Sequence, residues 1–159
     1  MAELKEMKQA QNAFNTLCAM LDDHGWKYQR DDENLRIECG ANGDVLPIDI
    51  RITVSADKQL VTLLSQLPFK VPEDDRVLGA IAVTAANYNM VDGSFDYNLA
   101  SGAIIFRLTT SIRESLISKD VFEYMLFVSC GTVDNYNDKL LMVIKHAMSL
   151  EDFIKFTKE

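Results

Sequence analysis

Asn87–Arg113, NYNMVDGSFDYNLASGAIIFRLTTSIR, is the stretch on which the fold turns. It reads as a helix end, a strand, a tight turn and a second strand. Past Gly93 the apolar residues alternate as Phe95, Tyr97, Leu99 and then Ile104, Phe106, Leu108, the period-two pattern of a half-buried antiparallel hairpin. A two-residue turn at Ser101 and Gly102 sets Leu99 opposite Ile104, Tyr97 opposite Phe106 and Phe95 opposite Leu108, which puts all six side chains on one face. The same register sets Asp96 opposite Arg107. Six large side chains at about 1.5–3 kcal/mol of burial each outweigh one exposed ion pair of at most about 1 kcal/mol, so the apolar face holds the hairpin.

The flanking segments extend this reading. Upstream, Glu73, Asp74 and Asp75 suit a helix's first turn, and a second helix is expected over about Glu73 to Met90. Val77, Ile81, Thr84, Ala85 and Tyr88 share one of its faces, and Leu78, Ala82, Val83 and Ala86 lie around the rest. A helix apolar nearly all round is covered on more than one side. The cover is either the last helix of the chain or another subunit, and in the second case Leu78, Ala82, Val83 and Ala86 form a partner or dimer surface. Downstream, Ser118 suits the N-cap of a long helix from Lys119 towards Ala147, with Val133, Tyr136, Leu140, Leu141 and Ile144 on one stripe. Ser149 caps a short terminal helix within 149–157.

The first half of the chain completes the order. Leu4, Met7, Phe14, Leu17, Cys18 and Leu21 make one stripe of a first helix that ends at His24-Gly25. Trp26, Tyr28 and Arg30, then Leu35, Ile37 and Cys39, read as a strand and its return, followed by a loop over Gly40 to Asp44. Ile48, Ile50, Ile52 and Val54 alternate with polar residues in a third strand, and its partner is Leu60 to Leu67. A turn at Asp57-Lys58 sets Val54 against Val61 and Ile52 against Leu63. Pro68 and Pro72 bracket the connection to the second helix. The order α-β-β-β-β-α-β-β-α makes an α+β fold with an antiparallel sheet, in a single domain over 1–159.

A helix ending in Asn-Tyr, then Asp-Gly-x-Phe-x-x-x-Leu, a turn glycine and Ile-x-Phe-Arg resembles the signature of the YbjN family, with the match running from about Phe14 to Tyr136. The resemblance implies a bacterial sensory-transduction or stress regulator with a fold similar to type III secretion chaperones, carrying one strand more in its first half than those chaperones usually have. It brings no catalytic motif with it.

The composition sets the outer bounds. An apolar share of 48% and a charged share of 25% over 159 residues are those of a globular domain able to bury its own core. No run is long enough to span a bilayer and no secretory start is evident, so the expected location is the cytoplasm, without a membrane partner. A net charge of −8 with no basic stripe argues against nucleic acid, whose binding depends on Lys and Arg displacing counterions. Cys18, Cys39 and Cys130 read as small buried hydrophobes. His24 and His146 have no neighbour at metal-ligand spacing, and the acidic runs Asp22-Asp23, Asp31-Asp32-Glu33 and Glu73-Asp74-Asp75 lack the spacing of a calcium loop. No nucleophile elbow, phosphate-cradling loop or dinucleotide fingerprint is present, and Asp96 with Arg107 reads as structural. The expectation is therefore no catalytic residue, no metal and no cofactor.

The leading expectation is a non-enzymatic protein-interaction domain, chaperone-like or regulatory, whose partner is another protein or a second copy of itself. The alternative is a small-ligand sensor with a pocket between sheet and helices lined by Trp26, Tyr28, Phe95 or Tyr97. An enzyme built on scattered carboxylates ranks last.

Overall fold

The computed structural model describes residues 2–159. Its elements run α1 (Ala2–Asp23), β1 (Tyr28–Asp31), β2 (Arg36–Asn42), β3 (Pro47–Ser55), β4 (Leu60–Lys70), α2 (Arg76–Asn87), β5 (Ser94–Tyr97), β6 (Ala103–Ser111), α3 (Lys119–Ile144) and α4 (Leu150–Phe156). This is the α+β order that the periodicities predict. The six strands form one antiparallel sheet in the order β1-β2-β3-β4-β6-β5. The chain leaves the sheet after β4 to make α2, lays β5 at the far edge, and returns through β6 to pair with β4.

The core sits between one face of this sheet and the helices. Strand β3 alternates without a break, Ile48, Ile50, Ile52 and Val54 being buried and the residues between them facing out. Val61 and Leu63 of β4 continue the apolar layer in the expected register, Val54 against Val61 and Ile52 against Leu63. Phe106 and Ile104 carry it on through β6, and Phe122, Leu126, Val133 and Leu140 of α3 close it from above. Ser118 Oγ accepts from Val121 N and Ser149 Oγ accepts from Asp152 N, so both serines cap their helices as their positions suggest.

Several boundaries differ from the sequence reading. Leu4 and Met7 lie exposed because α1 meets the core only from Ala10 onward. Strand β2 runs on to Asn42, and the loop begins at Gly43. Glu73–Asp75 form a single 3-10 turn, and α2 proper spans Arg76–Asn87. Helix α3 ends at Ile144, where His146 adopts a positive φ of 56°.

The hairpin register is shifted by two residues. Phe95 faces Phe106 and Tyr97 faces Ile104, and the connection is the five residues Asn98–Gly102. Asn98 Oδ1 accepts from Ala100 N and Ser101 N, both at 3.0 Å, and so organises a turn longer than the two residues expected. A shift of two keeps every side chain on its own face, so Phe95, Tyr97, Ile104, Phe106 and Leu108 still point to the core. Leu99 does not, because it sits at the turn tip, 63% exposed. Gly102 closes the turn at φ 74°, and a Cβ there would lie 2.1 Å from Val71 O. Asp96 faces Ile105, yet it still pairs with Arg107 diagonally, Nε to Oδ2 at 2.8 Å.

Pro68 is the second departure, since it lies inside β4 and does not end it. Val54 N donates to Leu35 O, so the even-numbered residues of β3 bond towards β2 and the odd-numbered ones towards β4. Ser55 with Leu60, Thr53 with Thr62 and Arg51 with Leu64 are then the bonded pairs of the β3–β4 ladder. Carried further, that register would set Asp49 against Gln66 and Pro47 against Pro68. Two prolines have no N–H to exchange, so the ladder cannot continue through them. Pairing stops at Arg51 and Leu64, β4 bulges between Gln66 and Lys70, and the two strands run on apart.

Candidate functional site

Helix α2 is the element on which the functional expectation rests, and it is turned the other way round from that expectation. Ala82, Val83 and Ala86 are buried and Leu78 is partly buried against the core, where α2 packs on β5, α3 and α4. Three of the four residues expected at a partner surface are thus covered by the chain's own elements, and Leu78 is covered in part. Gly79 permits the close approach, since a Cβ at that position would come within 2.8 Å of Tyr97 Oη and 3.0 Å of Val71. Val77, Ile81, Thr84 and Tyr88 face solvent instead, with Val91 just beyond the helix end. Val77, Tyr88 and Val91 are 72%, 86% and 93% exposed. Periodicity separated these two stripes except at Ala85, which packs against the core, but both are apolar, so the pattern could not say which faced inward.

The exposed stripe carries no charge over the length of α2. Its one charged residue, Arg76, is folded back onto the hairpin turn, donating to Val71 O and Leu99 O at 2.8 Å each and to Ala100 O at 2.5 Å. Tyr97 Oη donates to Arg76 O at 2.9 Å and ties the helix start to β5. At the other end Asn87 Nδ2 donates to Phe95 O, and Asn87 Oδ1 accepts from Phe95 N, both at 2.8 Å. The side-chain amide pairs with the free edge of β5 as another strand would. The Asn-Tyr that ends α2 therefore divides its work: Asn87 seals the sheet edge and Tyr88 stands in solvent.

Helix α3 adds apolar surface of its own. Val121, Tyr124 and Phe127 are exposed on its outer side, and Tyr124 Oη hydrogen-bonds the carboxylate of Asp92, one residue past Val91. That bond holds the Tyr124 hydroxyl above its ordinary pKa. The His24 ring meets Phe127 edge-on at 5.3 Å, and its Nε2 lies 2.7 Å from Glu123 Oε1.

Several of the groups able to do chemistry are occupied structurally. Burial raises the Cys39 thiol to about 12 and the Cys130 thiol to about 11, which keeps both protonated and unreactive at neutral pH. Asp31 accepts from Asn34 N and Nδ2, and these bonds lower its pKa. Asp22 accepts from Tyr28 Oη, Asp23 pairs with Lys119 and Asp75 with His146. Among the described residues no group of three His, Cys, Asp or Glu is placed to share a metal ion, and no helix is long and apolar enough to cross a membrane.

Trp26 and Tyr28 do not line one pocket together with Phe95 and Tyr97, because β1 and β5 are the two opposite edges of the sheet. Phe95 is spent in an aromatic cluster with Phe106 at 5.4 Å and Tyr136 at 5.8 Å. A groove of about 630 Å3 lies elsewhere, where β3 and β4 part. Asp49, Ile50 and Arg51 line one wall; Gln66, Phe69 and Lys70 line the other.

The YbjN family model, described as "Putative bacterial sensory transduction regulator", matches residues 14–142. Among solved structures, the chain is similar to the crystal structure of YbjN from E. coli, described as "a putative transcription regulator", with a TM-score of 0.59 and 13% identity over 84% of this chain and 92% of that one. At that identity the likeness is one of fold. No curated protein sequence matches the chain.

Proposed function

We propose, from the premise that the chain belongs to the YbjN family, that it acts as a non-enzymatic regulatory domain in the cytoplasm and docks a protein partner on the outer face of α2. The observation that carries this reading is the uncharged stripe of Val77, Ile81, Thr84 and Tyr88, continued by Val91 and set beside Tyr124. Exposed apolar side chains in a contiguous row are a feature of association surfaces, with tyrosine among the residues enriched there. The only charge on the helix is turned away from the row, which leaves no charged side chain on α2 to desolvate when a partner covers it. An amphipathic helix laid along the row is the simplest complement, meeting it at successive turns. The net charge of −8 keeps such a surface from driving indiscriminate association.

The test is paired affinity capture with the wild-type chain and with an Ile81→Glu, Tyr88→Glu variant, both changes being at exposed positions that leave the fold intact. A protein recovered in near-stoichiometric amount by the wild type and lost from the variant supports the reading. If the wild type sediments as a dimer and the variant as a monomer, the partner is a second copy of the chain. Identical recovery and identical sedimentation would remove α2 from the proposal.

A further inference from the structure

We propose that the opening between β3 and β4 is a binding site for a short peptide with free termini, taken up in extended conformation. The inference stands on the sheet and not on α2. Beyond Arg51 and Leu64 both strands keep extended geometry without pairing to each other, so the N–H and C=O of Asp49 and of Gln66 face the opening with no cross-strand partner in the ladder. An extended peptide is the ligand whose own main chain repeats at the spacing of such a wall. Leu64, Phe69 and Ile105 offer apolar surface to a ligand side chain, and the volume of about 630 Å3 falls within the range of small-ligand pockets, about 300–1,000 Å3.

The charges select the ends of the ligand. Glu38 and Arg51 satisfy each other at 3.1 Å. Asp49 on one wall and Lys70 on the other enter no ion pair among the described residues, which leaves one free carboxylate and one free ammonium across the groove. A zwitterion fits them, with its ammonium on Asp49 and its carboxylate on Lys70. The prolines limit its length. Pro47 and Pro68 offer carbonyls but no N–H at the position after Asp49 and Gln66, so a longer strand gains no reciprocal bonds there and strand addition by a folded partner is discouraged.

The test is an NMR titration of the full chain with tripeptides Ala-X-Ala, X being Leu, Phe or Val, each with free ends, N-acetylated, or C-amidated. The expected result is saturable movement of the Asp49, Ile50, Gln66 and Leu67 amides by at least one free tripeptide. Capping either end, or the Asp49→Asn or Lys70→Gln substitution, then weakens binding on the order of tenfold, as loss of a charged hydrogen bond does. A Pro47→Val, Pro68→Val variant with an unchanged circular dichroism spectrum, in which the ladder can close, binds none. No saturable movement by any of the three free tripeptides, equal affinity for doubly capped peptides, or undiminished binding to the closed variant would each overturn the proposal.

Discussion

Asn87 has an effect out of proportion to its place at a helix end. Its amide makes the only pair of hydrogen bonds that a side chain gives to the outer edge of β5, one donated and one accepted, among the described residues. Replacing it with alanine removes both and leaves Phe95 N and O on a partly buried edge. The Asn87→Ala chain is expected to unfold with about 1–3 kcal/mol less stability in a urea titration, with the slope unchanged. The sequence displayed this residue inside the Asn-Tyr motif but not its use, because the bond joins residues eight apart through a loop whose path no periodicity reports. The Asp96–Arg107 pair was legible despite the shifted hairpin, since long side chains on one sheet face reach both the opposite and the diagonal neighbour.

At the scale of elements, the sheet opens where two prolines would meet across the β3–β4 ladder. Restoring N–H groups with Pro47→Val and Pro68→Val is expected to extend the β3–β4 ladder. Hydrogen exchange at Asp49 and Gln66 should then slow at least tenfold, while exchange at Val61 and Leu63 in the established ladder stays as it is; unchanged exchange at Asp49 would mean that the bulge of β4 alone holds the strands apart. Element types and the β1–β2, β3–β4 and β5–β6 neighbours were legible because β3 and β6 alternate cleanly and a slip of one residue would bury polar side chains. The two-residue slip at the β5–β6 turn was not, because a shift of two leaves the same faces buried and only the turn chemistry of Asn98 separates the alternatives.

For the whole molecule, the partly buried thiols of Cys39 and Cys130 give stability a pH dependence on the alkaline side. Each is held above its unfolded value of 9.0, so its contribution is complete below that pH and is lost as pH rises towards about 12 for Cys39 and about 11 for Cys130. The fall in stability above pH 9.0 should be shallower in a Cys39→Ala, Cys130→Ala variant than in the wild type when both are unfolded in urea across that range. Parallel curves would show that the thiols are solvated. The same burial separates these cysteines from reactive ones, a distinction that spacing along the chain could suggest only through the absence of a second ligand nearby.

The amino-acid sequence by itself determined the order and type of the elements, the antiparallel sheet, both helix caps and the resemblance to one family, since each follows from local periodicity, capping chemistry or short-range spacing. Only the tertiary structure decided which apolar stripe of α2 is free and where the sheet parts. Helix α2 is apolar on two sides, and its inner side is chosen by what α3, α4 and β5 bring to it from other parts of the chain. The opening lies where Pro47 and Pro68 would meet across the continued ladder, and neither proline announces that meeting until the register of β3 on β4 is known.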